Sequence, residues 1–165
     1  MGMVACFTSV SEETLSRLRK DEDLIEEFLF PDDGESEPEN YIDLDKAWHG
    51  LHYLLTGEAD GGKLPLSLAV IGGEEFGPEV GYGPPRFLSA LQVAQVSKAL
   101  ESITVESLSA KFDPQDMEKK QIYPDVIWVR DGSEALDYLL ENYQQLAVFY
   151  RDAAARGDAV IQWLS

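Results

Sequence analysis

The sequence predicts an α+β domain, with helices covering a small sheet that includes the first and last strands. Three observations carry this. Residues 3–7 form an apolar run, Met-Val-Ala-Cys-Phe, with apolar residues at alternating and adjacent positions, as in a well-covered strand. Residues 159–164 alternate, with Val160, Gln162 and Leu164 against Ala159, Ile161 and Trp163. Between these ends lie several segments with helical period and helix-capping residues, and strands separated by runs of helices indicate an α+β architecture. No repeat or dividing linker interrupts the chain, so residues 1–165 are expected to form one domain.

The elements follow in order. Gly2 to Val10 is the first strand, with Cys6 a small buried hydrophobe. Ser11 caps a helix with Glu12 and Glu13 in its first turn and Leu15 and Leu18 facing inward. A second short helix spans Asp23 to Phe30. Pro31 to Asn40 has loop composition. Its five acids, Asp32, Asp33, Glu35, Glu37 and Glu39, lack the spacing of a calcium loop.

The strongest amphipathic helix of the first half runs from Asp43 to Gly57. Trp48, Leu51, His52 and Leu55 share its inner face, widened by Leu44 and Leu54. Asp43 is the expected N-cap and Gly57 the left-handed stop. Asp45, four residues before His49, can meet it. Asp45, His49 and His52 therefore invite a proton-transfer or metal line. The simpler alternative is a packed His52 bonded to a backbone carbonyl and an exposed His49. One Cys and two His do not suffice for a structural zinc site, and neither a metal nor a cofactor is expected.

Ala59 to Lys63 is a Gly-rich turn. Residues 65–71 suit a short helix or a buried strand, and periodicity does not choose between them. Five glycines follow between residues 72 and 83, without a phosphate-binding motif. Arg86 precedes Ser89-x-x-Gln92, a capping box that opens the next helix. Arg86 with that helix N-terminus could hold an anion, or it could tie its loop to an internal acid such as Asp43 or Asp45. Helices are expected from Ala90 to Ser102, after Thr104, and after Asp113-Pro114. Residues 126–129 suit a strand or an apolar plug. Glu134 to Arg156 is the longest helix, with Asp152 and Arg156 at i,i+4 spacing and Gly157 at its end.

Composition excludes several function classes. With 31 acids against 13 basic residues, the net charge is −18. That disfavours nucleic acids and anionic membranes, and permits steering toward a basic protein. A single cysteine suits a reducing, cytoplasmic setting. No signal-peptide pattern, membrane-spanning run or G-x-S-x-G motif is present.

Certain segments resemble the YfbM-like family of small bacterial domains of unknown function. They are Met1-Gly2-Met3, Asp43-Leu-Asp-Lys-Ala-Trp48 with Leu51-His52 and Leu55-Thr-Gly57, Pro65-Leu-Ser67, Gly83-Pro-Pro-Arg-Phe-Leu88 and Ile122-Tyr-Pro124. His49 falls where the family pattern is open, and the acidic loop at 31–40 resembles a variable insert. The resemblance implies an α+β fold and supplies no activity.

Two functional expectations follow. The first is a non-catalytic interaction module of immunity or inhibitor type, whose acidic surface meets a basic protein. The second is a small enzyme or an anion- or metabolite-binding domain. Its site would gather Trp48, His52, Tyr82 and Arg86, with His52 and Asp45 as the acid–base candidates.

Overall fold

A computed structural model describes residues 2–34 and 36–165. The sheet has five strands in the order β2-β1-β5-β4-β3, and every neighbouring pair is antiparallel. At its centre β1 (Ala5–Val10) pairs along its whole length with β5 (Ala159–Leu164), with Ala5 opposite Leu164 and Val10 opposite Ala159. Outside β1 lies β2 (Tyr41–Asp43), and outside β5 lie β4 (Arg86–Leu88) and β3 (Glu74–Glu75).

The strand alternation sorts residues into two cores. Cys6, Val10, Ala159, Ile161 and Trp163 face one side. There they meet Leu15 and Leu18 of α1 (Glu12–Lys20) and Ile25 and Leu29 of α2 (Asp23–Leu29). Ala5, Phe7 and Val160 face the larger core. That core is built from α3 (Trp48–Thr56), α4 (Ala90–Glu101), α5 (Val105–Ala110), α6 (Pro114–Lys119), α7 (Ile127–Asp131) and α8 (Ser133–Arg156). The sheet is thus a middle layer, and the apolar residues on both faces of β1 and β5 reflect that double cover.

Local sequence rules set most boundaries. Ser11 Oγ accepts the Thr14 N–H at 3.1 Å. Ser89 and Gln92 form the reciprocal capping box, as do Thr104 and Ser107. Asp113 caps α6, with Pro114 in its first turn. Gly57 and Gly157 end α3 and α8 at φ of 77° and 71°.

Other expectations are corrected. Asp43 does not cap α3: it ends β2, and its carboxylate accepts the Asp45 N–H at 2.9 Å. A 3-10 turn, Asp45–Ala47, intervenes before α3 begins at Trp48. Two segments left open between strand and helix resolve as helical: Leu66–Leu68 is a 3-10 turn and Ile127–Asp131 an α-helix. Arg86 lies on a strand rather than in a loop. Arg156 pairs with Asp158 at 3.0 Å, not with Asp152, which meets Arg151 at 3.4 Å.

Packing is tight where α3 crosses α7 and α8. A Cβ on Gly50 would lie 2.6 Å from Trp128 and 2.7 Å from Leu139, so only glycine allows this approach. Among the described residues no helix is long and apolar enough to cross a membrane.

Candidate functional site

The C-terminal half of α3, the turn at 59–72 and β4 enclose a cavity of about 350 Å³. It brings together two of the residues singled out by sequence, His52 and Arg86. His52 reaches it from α3 and Arg86 from β4. Asp60, Gly61, Ser67 and Gly72 complete its polar lining, and Leu64, Leu68 and Ile71 supply apolar wall. The volume lies at the small end of the usual range for ligand pockets.

His52 is only 3% exposed, yet neither ring nitrogen has a hydrogen-bond partner. The expected bond to a backbone carbonyl does not reach full hydrogen-bond geometry, although the Gly61 backbone lies against the ring. Burial pushes its pKa below the ordinary histidine value. The nearby Gly61 backbone opposes that shift more weakly, without meeting hydrogen-bond geometry to the ring. At neutral pH the ring is therefore an uncharged imidazole with one N–H and one lone pair. Ser67 is 6% exposed and shares the cavity. No hydrogen bond links its hydroxyl to His52.

Arg86 is not a free cation. Its Nη2 donates to Glu75 Oε1 at 2.8 Å and its Nη1 to the Gly73 carbonyl at 3.2 Å. The expected ties to Asp43 or Asp45 are absent, because β3 presents Glu75 directly opposite Arg86 in register.

Beneath the cavity lies a buried polar relay that sequence reasoning missed. Gln162, fully buried in β5, accepts the Gly73 N–H at 3.1 Å and donates to the Leu68 carbonyl at 2.7 Å. Its amide also donates to Tyr150 Oη at 3.1 Å, and Tyr150 donates to the Ala69 carbonyl at 2.6 Å. Together they hold the 68–73 backbone that floors the cavity. A lone Gln on an otherwise apolar strand was the available signal.

The remaining candidates lie elsewhere. Trp48 is 5% exposed; its Nε1 donates to the Met3 carbonyl at 2.9 Å, and its ring stacks on His49 and Tyr123. Tyr82 is half exposed and lines a separate cavity of about 180 Å³, which also touches Arg86. Asp45 does not meet His49. Its carboxylate accepts the Tyr138 hydroxyl at 2.6 Å, so the acid–histidine line does not assemble. His49 is half-buried rather than exposed: Nδ1 accepts the Tyr123 N–H and Nε2 donates to the Ala59 carbonyl. Among the described residues, no group of three or more His, Cys, Asp or Glu side chains is placed to hold a metal ion.

None of the curated proteins matches the sequence. The fold is similar to that of a solved structure, a protein of unknown function, YfbM from Escherichia coli. The two share 24% identity and superpose with a TM-score of 0.76 over 98% of this chain and 99% of that one. The model of a domain of unknown function, DUF1877, matches residues 1–163, and the chain belongs to that family.

Proposed function

We propose that this domain binds a small polar molecule in the cavity between α3, the 59–72 turn and β4. One observation carries the reading: His52, buried and with neither ring nitrogen hydrogen-bonded, lies in the lining of a cavity that it shares with Arg86. Leaving a buried polar group unpaired costs about 1–3 kcal/mol, a cost that a ligand reaching the ring would remove. Perturbed, unpaired titratable groups in a cleft are the usual mark of such a site. No activated nucleophile is paired with His52, so the reading is of binding rather than catalysis. A thermal-shift screen of metabolites tests it. A ligand that raises the Tm of the wild type, and raises it less in His52→Ala and Arg86→Ala, supports the reading. Hits that are indifferent to both substitutions defeat it.

The net charge of −18 favours a second reading, an interaction module of immunity or inhibitor type that masks a basic protein. A groove of about 460 Å³ between β2 and α8, with Ile42 and Phe149 in its lining and Glu141 and Asp152 among its acids, suits that role. A pull-down at low and moderate salt tests it. A stoichiometric basic partner that is lost as salt rises, and on neutralising the acids of the 32–39 loop, supports it. Retention that ignores salt counts against it.

A further inference from the structure

We propose that the open edge of β2 takes an extended segment of a basic protein as an added antiparallel strand, its apolar side chains toward α8 and its basic ones toward α2. This rests on the interaction reading and gives it a place and a geometry. The ladder between β1 and β2 runs past the ends of β2. Leu44 N–H donates to the Ala5 carbonyl at 2.9 Å, and Ser9 N–H to the Asn40 carbonyl at 3.4 Å. In an antiparallel ladder the hydrogen-bonded pairs alternate, so Phe7 and Ile42, opposite each other, form the pair between these two. Ile42 therefore points its N–H and C=O at β1. Tyr41 and Asp43 point theirs outward, where no hydrogen bond among the described residues reaches them. Because β2 ends the sheet, this row of groups is a template for one more strand.

The two faces beside this edge ask for different side chains. On one, Ile42 joins the larger core, and the groove toward α8 adds Phe149 and the exposed Val148. A residue opposite Ile42 on an added strand places its side chain in that groove, where an apolar one fits. On the other face, Tyr41 packs against the smaller core and lines a cavity of about 170 Å³ together with Phe30 and Glu37. Asp43 shares that face, two residues along the strand, and is exposed. Residues opposite Tyr41 and Asp43 therefore meet carboxylates beside an aromatic surface. Lys or Arg suits both, with its stem on the rings and its charge near Asp43 and Glu37. Among the described residues lining the groove, Arg156 is the one cation, and Asp158 already holds it at 3.0 Å. Charge also disfavours the rival occupant, a second copy of this chain, since edge-to-edge pairing would join two chains of net charge −18.

The experiment is a titration of 15N-labelled protein at low salt, followed through its backbone amide resonances. The probe is an acetylated and amidated heptapeptide of alternating Lys and Val, with Lys at both ends. With Val toward α8, every Lys N–H faces β2 and every Val N–H faces solvent, and a slip of two residues preserves this. The Tyr41 and Asp43 amides are expected to move with saturation and to gain protection from exchange. N-methylation of the Lys residues should weaken binding about tenfold or more, and N-methylation of the Val residues should leave it within about twofold. Val148→Lys, on the exposed side of α8, weakens binding about fivefold. Asp43→Asn, which keeps an acceptor for the Asp45 N–H, weakens it about twofold to fivefold. Salt-sensitive binding that is equal for the two methylated peptides overturns strand addition and leaves the interaction reading standing. A dimer that protects the same amides without peptide assigns the edge to a second copy and also overturns it. Unmoved Tyr41 and Asp43 resonances with every peptide overturn it too. The interaction reading then falls only if the pull-down also returns no basic partner.

Discussion

His49 Nδ1 accepts the backbone N–H of Tyr123 at 2.8 Å across 74 residues of chain. Because that partner can only donate, Nδ1 must carry the lone pair, and the proton lies on Nε2, which donates to the Ala59 carbonyl at 2.9 Å. Protonating Nδ1 would set two donors against each other.

A pH dependence follows. Burial lowers the His49 pKa in the folded state, outweighing the Ala59 carbonyl, and burial also lowers that of His52. The unfolded chain then binds more protons than the folded one in mildly acidic solution. The stabilising contribution is complete above the unfolded histidine value of about 6.5, and is lost as pH falls from there toward the lowered folded values. Thermal unfolding should show Tm falling between about pH 7 and pH 5. A His49→Gln variant should have a shallower slope. An unchanged slope in the variant would remove His49 from the account.

Gly50→Ala should destabilise the fold. Its methyl would press on Trp128 and Leu139, both fully buried. Overpacking of this kind costs about 1–3 kcal/mol, more than the gain in helix propensity from Gly to Ala. Urea unfolding measures the difference, and a neutral or stabilising result would contradict the packing described.

Gln162→Leu should cost about 2–4 kcal/mol, since it strands the Gly73 N–H and the Leu68 carbonyl in a buried site. The loss should be local as well as global. Amide exchange at Gly73 should accelerate more than exchange in the centre of β1. Tyr150→Phe removes one bond to the Ala69 carbonyl and should cost less, about 1 kcal/mol. Equal effects of the two substitutions would mean that Gln162 does not anchor the cavity floor.

Arg86→Met should barely affect stability. The pair with Glu75 has side-chain exposures of 35% and 54%, and such pairs are worth about 0–1 kcal/mol. If urea unfolding shows a loss well above 1 kcal/mol, Arg86 supports the fold rather than the cavity mouth.

What the sequence disclosed followed the range of its signals. Ser11, Ser89, Thr104 and Asp113 announce their helices because capping is settled within four residues. β1 and β5 are legible because six residues suffice to show an apolar strand. Strands of two and three residues, such as β3 and β2, carry no readable period, so Asp43 reads as the cap of α3 rather than as the end of β2. The 126–129 segment is ambiguous in sequence for another reason. Val-Ile-Trp-Val has strand composition, but Val126 adopts φ of 81° and the chain turns into a helix that buries Trp128. At the site, the inward direction of His52 was visible from the helical period. The choice of Glu75 for Arg86, and of Gly73 and Leu68 for Gln162, depends on strand register and chain return, which no local pattern encodes.

The order of strands in the sheet has a consequence for biogenesis. β5 is the last strand in the chain, yet it sits between β1 and β4. Before β5 is made, therefore, the only strand pairings open to the sheet are β2 with β1 and β4 with β3, with nothing to join them. Each leaves a backbone edge open that can pair with another nascent chain. Gln162 travels with β5, so the floor of the cavity is fastened in the same event that closes the sheet. Both wait on the synthesis of β5, which makes the interval before β5 docks the one in which a chaperone has most to protect.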